Sequence, residues 1–209
     1  MTHSLHRMGA AEDLHDDYVL MVTPAIGFNH EGKKEALQKV VDIVWEVGPN
    51  NIASIEATGT IFTGTTKDDI KKNIHDKGRV RCCFSSREKI EEVVRRLKEA
   101  DLGLSIIVSG LIDEVVPMAK GLGCEPHTIN LSLGIHGNVG CLPENGALEI
   151  TTMCGHGLVA TKLARAMIKE VKAGRKTLDE AAIKLAQPCF CGIFNTERAK
   201  QILLAADVQ

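Results

Sequence analysis

Residues 18–50 read YVLMVTPAIGFNHEGKKEALQKVVDIVWEVGPN, and their pattern sets the rhythm for the rest of the chain. The first six, Tyr18–Thr23, are an apolar run stopped by Pro24, as in a buried strand. After a turn holding Gly27 and Gly32, apolar residues recur at Ala36, Leu37, Val40, Val41, Val44 and Val47. That is helical spacing, and Gly48-Pro49 ends it. The stretch is therefore one β–α unit.

The unit repeats downstream. Residues 52–57 read as a second, weaker strand. Residues 58–66 (TGTIFTGTT) read as a strand or a ligand loop, and 67–75 as a short polar helix. Residues 79–84 are a third strand. Ser85 and Glu88 form a capping box opening a helix whose apolar face is Ile90, Val93, Val94 and Leu97. The run 104–108 (LSIIV) is the most apolar strand and is expected at the centre of a sheet. A helix over 112–122 follows, with Pro117 inside it, and 127–133 reads as a fifth strand. Strands and helices alternating in this way predict an α/β fold: a mostly parallel sheet of about five strands flanked by helices, with a three-helix segment after it. A ferredoxin-like α+β arrangement is the alternative, because several helices are short. The expected organisation is a flexible leader over 1–17, an α/β domain over 18–150, and a helical, cysteine-bearing segment over 151–209 packed on the same domain.

The chain has 209 residues, of which 44 % are hydrophobic and only 3 % aromatic. The core must therefore be aliphatic, and few rings exist on which bases could stack, which argues against nucleic acid as a partner. The net charge is −2 and there is no dense basic run, so no phosphate-backbone footprint is predicted. No apolar stretch approaches the roughly 20 residues of a membrane span, and the polar N-terminus lacks a signal-peptide core. These features place the protein in the cytoplasm, away from membranes. The expected partner is a small-molecule substrate or a larger enzyme complex; a homo-oligomer is compatible with the same features.

Seven cysteines are many for a reducing compartment, where structural disulfides are rare. Cys82 and Cys83 are adjacent in a strand and must point to opposite faces; they read as core, as does Cys124. The C-terminal cysteines are different. A helix over 158–173 stops at Gly174, and Thr177 with Glu180 caps the next, which Pro188 ends. Asn195 or Thr196 opens the last helix. The short turn makes the first two helices antiparallel, so Cys189 and Cys191 return toward Cys154 and His156. Helix N-termini nearby offer N–H groups and partial positive charge that favour thiolates. Gly155, Gly157 and Gly192 flank the thiols and let backbone N–H groups approach sulfur.

Three such thiolates have several uses. Cys154, Cys189 and Cys191 are expected to ligate an iron–sulfur cluster of the three-cysteine [4Fe–4S] kind, leaving one iron open for lyase, hydratase or redox chemistry. His156 would be a base or substrate contact. Zinc, with His156 as fourth ligand, is an alternative. Cys154 as a metal-free nucleophile or proton-transfer base is another, as is a non-enzymatic accessory protein that carries a cluster or metal. Plain burial of the three thiols is the remaining reading. His136, in the glycine-rich loop after the expected fifth strand, is a catalytic candidate if that loop faces the sheet crevice, and Cys141 is a spare ligand. The five residues 153–157 (MCGHG) resemble the first catalytic cysteine motif of the proline racemases. The resemblance implies proton exchange between Cys154 and a substrate α-carbon, opposite a second cysteine.

Overall fold

The computed structural model describes residues 2–56 and 59–206. Ala57 and Thr58, where two expected segments meet, lie outside the described residues, as do Met1 and residues 207–209. In chain order the elements are α1 (Ala11–Leu14), β1 (Tyr18–Thr23), α2 (Lys34–Val47), β2 (Asn51–Ser54), β3 (Gly59–Thr60), α3 (Lys67–Asn73), β4 (Val80–Phe84), α4 (Arg87–Ala100), β5 (Ser105–Ser109) and α5 (Ile112–Gly121). They are followed by α6 (Asn145–Thr152), α7 (Thr161–Lys172), α8 (Leu178–Ala186) and α9 (Thr196–Ala205). Short 3-10 helices cover Thr2–His6, Ile61–Thr63 and Val139–Cys141.

The strands form one sheet in the order β3-β2-β4-β1-β5, and every neighbouring pair is antiparallel. This overturns the mostly parallel sheet expected from the strand–helix rhythm. The rhythm fixes the order of elements along the chain but not which strands become neighbours. Here β1 and β2 are joined through α2 and run the same way, yet β4 inserts between them, giving a split β-α-β arrangement. Two further expectations are corrected. β5 lies at the sheet edge, not its centre, and most of its residues are only half-buried. Helices cover both faces of this sheet, so an apolar run marks burial without marking position. Residues 127–133 form no strand: Ile129, Leu131 and Leu133 are 53, 64 and 86 % exposed. Their alternation is strand-like, but among the described residues no strand pairs with them. The fifth strand is instead the two-residue β3.

Local signals decide the helix ends. Gly48 adopts φ 81° after α2 and donates to the carbonyls of Val44 and Trp45, a backbone region that favours glycine. The cap of α4 is Ser86, one residue later than expected, because the Ser85 N–H is already bound by Asn50 Oδ1 at 2.6 Å. Thr177 and Glu180 cap α8 reciprocally, and the Asn195 side chain caps α9.

The two faces of the sheet carry separate cores. On the first, Tyr18, Leu20, Val22, Ile52, Val80, Cys82 and Phe84 pack against Leu37, Val40, Val41 and Val44 of α2 and the apolar face of α4. Each such aliphatic side chain contributes on the order of 1.5–3 kcal/mol by leaving water. On the second, Val19 and Cys83 join a core built from α6, α7, α8 and α9. The N-terminal segment also packs on this side: Arg7 pairs with Asp17 and donates to the carbonyl of Ile193, and the Met8 N–H donates to Thr152 at 3.0 Å. Among the described residues no helix is long and apolar enough to cross a membrane.

Candidate functional site

Alternation along β4 sends Cys82 into the first core and Arg81 and Cys83 onto the second face. There the Cys83 thiol donates to the carbonyl of Phe194 at 3.5 Å, and Asn51 Nδ2 donates to the same oxygen at 3.2 Å. These contacts seat the segment 189–194 against the sheet. Gly192 is the closest point. It has φ 72°, and a Cβ there would lie 2.4 Å from the amide nitrogen of Ala53 on β2. Only glycine fits a backbone packed so closely on a strand.

The turn held in this way brings the sequence-selected thiols together. Cys189 Sγ and Cys191 Sγ are 3.7 Å apart, and Cys191 Sγ is 3.6 Å from His156 Nδ1. Cys154, at the end of α6, hydrogen-bonds Cys189. All three thiols are buried, at 1, 0 and 1 % exposure for residues 154, 189 and 191. His156 and Phe190 lie on the solvent side, their rings stacked with centroids 6.0 Å apart. The four groups form a row: 154, 189, 191, 156. Among the described residues no set of three or more His, Cys, Asp or Glu side chains stands arranged to hold a metal ion.

Backbone N–H groups do reach the sulfurs. The donors are the amides of His156 and Leu158 on Cys154, and of Ile193 on Cys189 and Cys191. Gly192 acts through its close seat on β2, and Gly157 through its φ of 69° in the turn; Gly155 lies exposed beside His156.

Charge runs along the row in one direction. Donation to Cys189 and then burial push the Cys154 thiol up. For Cys189, the bond from Cys154 pulls down, but donation to Cys191 and burial outweigh it and leave the thiol at about 12. Cys191, accepting from Cys189 and facing the guanidinium of Arg81, is lowered despite burial. Of the three thiols, Cys191, the sulfur next to His156, is thus the most readily ionised.

Two cationic side chains missed in the sequence belong to this face. Arg81 is 7 % exposed. Arg7 is tied to Asp17, which also receives Arg198 at 2.8 Å, and its field reaches Cys83 and Cys189. A charged residue inside a strand predicted to be covered on both faces was the available signal for Arg81.

The other candidates lie elsewhere. His136 is exposed and donates from Nε2 to the carbonyl of Leu133 in its own loop, at 2.9 Å. Cys141 is exposed in the same loop, Cys124 is half-buried, and Cys82 and Cys83 are core residues. A cavity of about 990 Å³ opens between α1, α6, α7 and α9, lined by Glu12, Asp16, Glu144, Glu149, Arg165 and Arg198; no cysteine lines it. Comparison of the chain with protein-family models, curated proteins and solved structures found no match.

Proposed function

We propose that the protein binds a metal through Cys154, Cys189 and Cys191 with His156 as the outer ligand, and that it holds a single ion rather than a cluster. The observation that carries this reading is the spacing of the row. Zinc–sulfur bonds of about 2.3 Å and zinc–nitrogen bonds of about 2.0–2.1 Å at tetrahedral angles put two ligand sulfurs about 3.8 Å apart, and sulfur and nitrogen about 3.5–3.6 Å apart. The contacts here are 3.7 Å between Cys189 and Cys191 and 3.6 Å between Cys191 and His156. The four groups do not surround a common point in the structure, so binding requires the row to close around the ion. Three cysteines on a [4Fe–4S] cluster each bind a different iron, which holds their sulfurs farther apart than direct contact. The spacing thus favours zinc or a similar ion over the cluster.

Two features favour a metal-holding role over metal-free thiol chemistry. A nucleophile or proton-transfer base must meet its substrate, and Cys154 is 1 % exposed. Racemisation between two cysteines also needs a carbon between them, whereas Cys154 hydrogen-bonds Cys189 directly. The histidine at the surface gives the ion a single solvent-side ligand, which suits a protein that takes up and passes on metal.

Metal and acid-labile sulfide content of anaerobically purified full chain tests the reading. The expected result is one zinc-class ion per chain with no sulfide, lost in Cys189→Ser. Several irons with matching sulfide would replace the single ion with a cluster. A wild-type chain that takes up no metal from a buffered zinc solution would end the metal reading altogether.

A further inference from the structure

The edge of the sheet at β5 is open. Among the described residues β5 pairs with β1 alone, on one side. Edge strands are normally guarded by charge, proline or a bulge, because their free N–H and C=O groups invite another strand. Residues 102–112 contain no charged side chain and no proline, and the register of β5 on β1 runs without a bulge. The core on the first face also thins here. Leu102, Leu104, Ile106, Val108, Val115 and Leu122, along β5 and α5, pack against it while only partly buried.

The same chain carries strand-patterned sequence that no strand uses. Residues 127–133 (HTINLSL) alternate, so Ile129, Leu131 and Leu133 fall on one side of an extended chain. Residues 128–136 run without helix, turn or bend, and every residue from 125 to 142 is exposed. In a chain that is 25 % charged, no Asp, Glu, Lys or Arg occurs from 126 to 142. Ile129, Leu131, Leu133, Ile135, Val139 and Leu142 lie uncovered. Together they expose on the order of several hundred Å² of apolar surface, the size at which a patch marks a contact. The 3-10 helix at Thr2–His6 touches both regions: Ser4 meets Ser109 of β5 at 2.7 Å, and His6 meets Ser132 at 3.3 Å. The segment therefore passes close to its own β5 without joining it.

We infer that two copies of the chain exchange these parts, residues 127–133 of each adding to the β5 edge of the other. Each copy gives one segment and receives one, so the exchange closes at two chains. Backbone hydrogen bonds to the open edge supply the joint, as in other cases of strand addition. Ile129, Leu131 and Leu133 then lie beside Ile106 and Val108, whose ladder partners Val22 and Leu20 are buried in the first core. Thr128, Asn130 and Ser132 point to the other face. Neither surface carries a charge that burial would strand. The exposed segment and the open edge together approach the roughly 800 Å² per partner that a stable dimer buries. The inference is independent of the metal reading, since neither surface includes the cysteine row.

Sedimentation velocity on the full chain across the micromolar range tests it, with Leu131→Lys for the segment and Ile106→Lys for the edge. Leu131 is 64 % exposed, so its substitution leaves the single folded chain intact. Wild type is expected to be a dimer. Each variant is expected to self-associate at least about tenfold more weakly, as one leucine-sized side chain left unburied implies. An equimolar mixture of the two variants is expected to recover dimer, because the segment of the Ile106→Lys chain still fits the edge of the Leu131→Lys chain. Hydrogen exchange is expected to be slow at residues 127–133 in wild type and fast in Leu131→Lys. A monomeric wild type overturns the inference, leaving the segment to its own β5 if those amides are protected and to a different protein if they are not. Undiminished dimer in Leu131→Lys overturns it as well. A mixture of folded variants that stays monomeric would set segment against segment and overturn the exchange. Should Ile106→Lys lose its native circular dichroism, Ile107→Lys, which places the charge on the other side of the same edge strand, takes its place.

Discussion

Cys82 and Cys83 are neighbours in one strand and belong to two different chemistries. Cys82 faces α2 and α4, and burial alone pushes its thiol up. Cys83 faces the C-terminal helices, donates to the Phe194 carbonyl and feels Arg7, Asp17 and Cys189. The contrast extends over the whole sheet. The first face is filled almost entirely by aliphatic side chains and could be repacked by others of similar volume. The second buries Asp17, Asn51, Arg81, Asn195 and Arg198 and shields the side chain of Arg7. Polar burial of this kind is weak as a source of stability. One sheet therefore separates an aliphatic core from one that buries charged groups and thiols.

The sharpest way to break this comparison is Asp17→Ala. Asp17 is the only carboxylate shared by Arg7 and Arg198 among the described residues, so its loss leaves Arg7 without an ion-pair partner and Arg198 with Glu149 alone, at 3.9 Å. Urea unfolding should show a loss of about 3–5 kcal/mol; a loss under 1 kcal/mol would mean the second face does not depend on its ion pairs. Leu20→Ala, on the first face, should cost about 2–4 kcal/mol through a cavity alone. It should leave zinc stoichiometry at the wild-type value, and a lost metal site would show that the two faces are not separable. Cys82→Ala is a finer probe: about 1 kcal/mol of stability, the scale of one buried methylene-sized group, with no change in metal affinity. Rapid alkylation of the native metal-free chain should be confined to Cys124 and Cys141, the two thiols that are not buried, as mapped by mass spectrometry.

The smallest effect is a pH dependence on the first side. The carboxylate of Asp76 accepts from the backbone N–H groups of Lys34, at 2.8 Å, and Gly32, which hold it below the usual carboxylate range. A group depressed in the folded state contributes stability above its unfolded pKa and loses it as pH falls through the folded value. Asp76→Asn should thus flatten a minor part of the acid-side decline in melting temperature and leave the neutral-pH metal affinity alone. An unchanged acid limb would remove this role.

Much of the element list was legible. Period-3.6 spacing located α2, α4 and α9, and the Thr177–Glu180 box located α8, because those signals are local. The convergence of residues 154, 189, 191 and 156 followed from helix lengths and one short turn, which is also nearly local geometry. Sheet order was not legible, since pairing depends on which edges meet after the chain has returned twice. The alternation at Ile129, Leu131 and Leu133 looked like a strand for the same reason: a period describes a residue's two sides and not the presence of a neighbour. Arg7, Asp17 and Arg198 were invisible because their partners lie up to 190 positions away in the chain.

Gly192 leaves no gap above β2, and that has a kinetic meaning. The backbone of the Cys-Phe-Cys-Gly turn has a resting place only once β2 has taken its final path beside β4, so the outer sulfurs cannot be delivered to Cys154 by a half-built chain. On the proposed metal reading, capture of the ion would thus report that the first strands and the last helices have met.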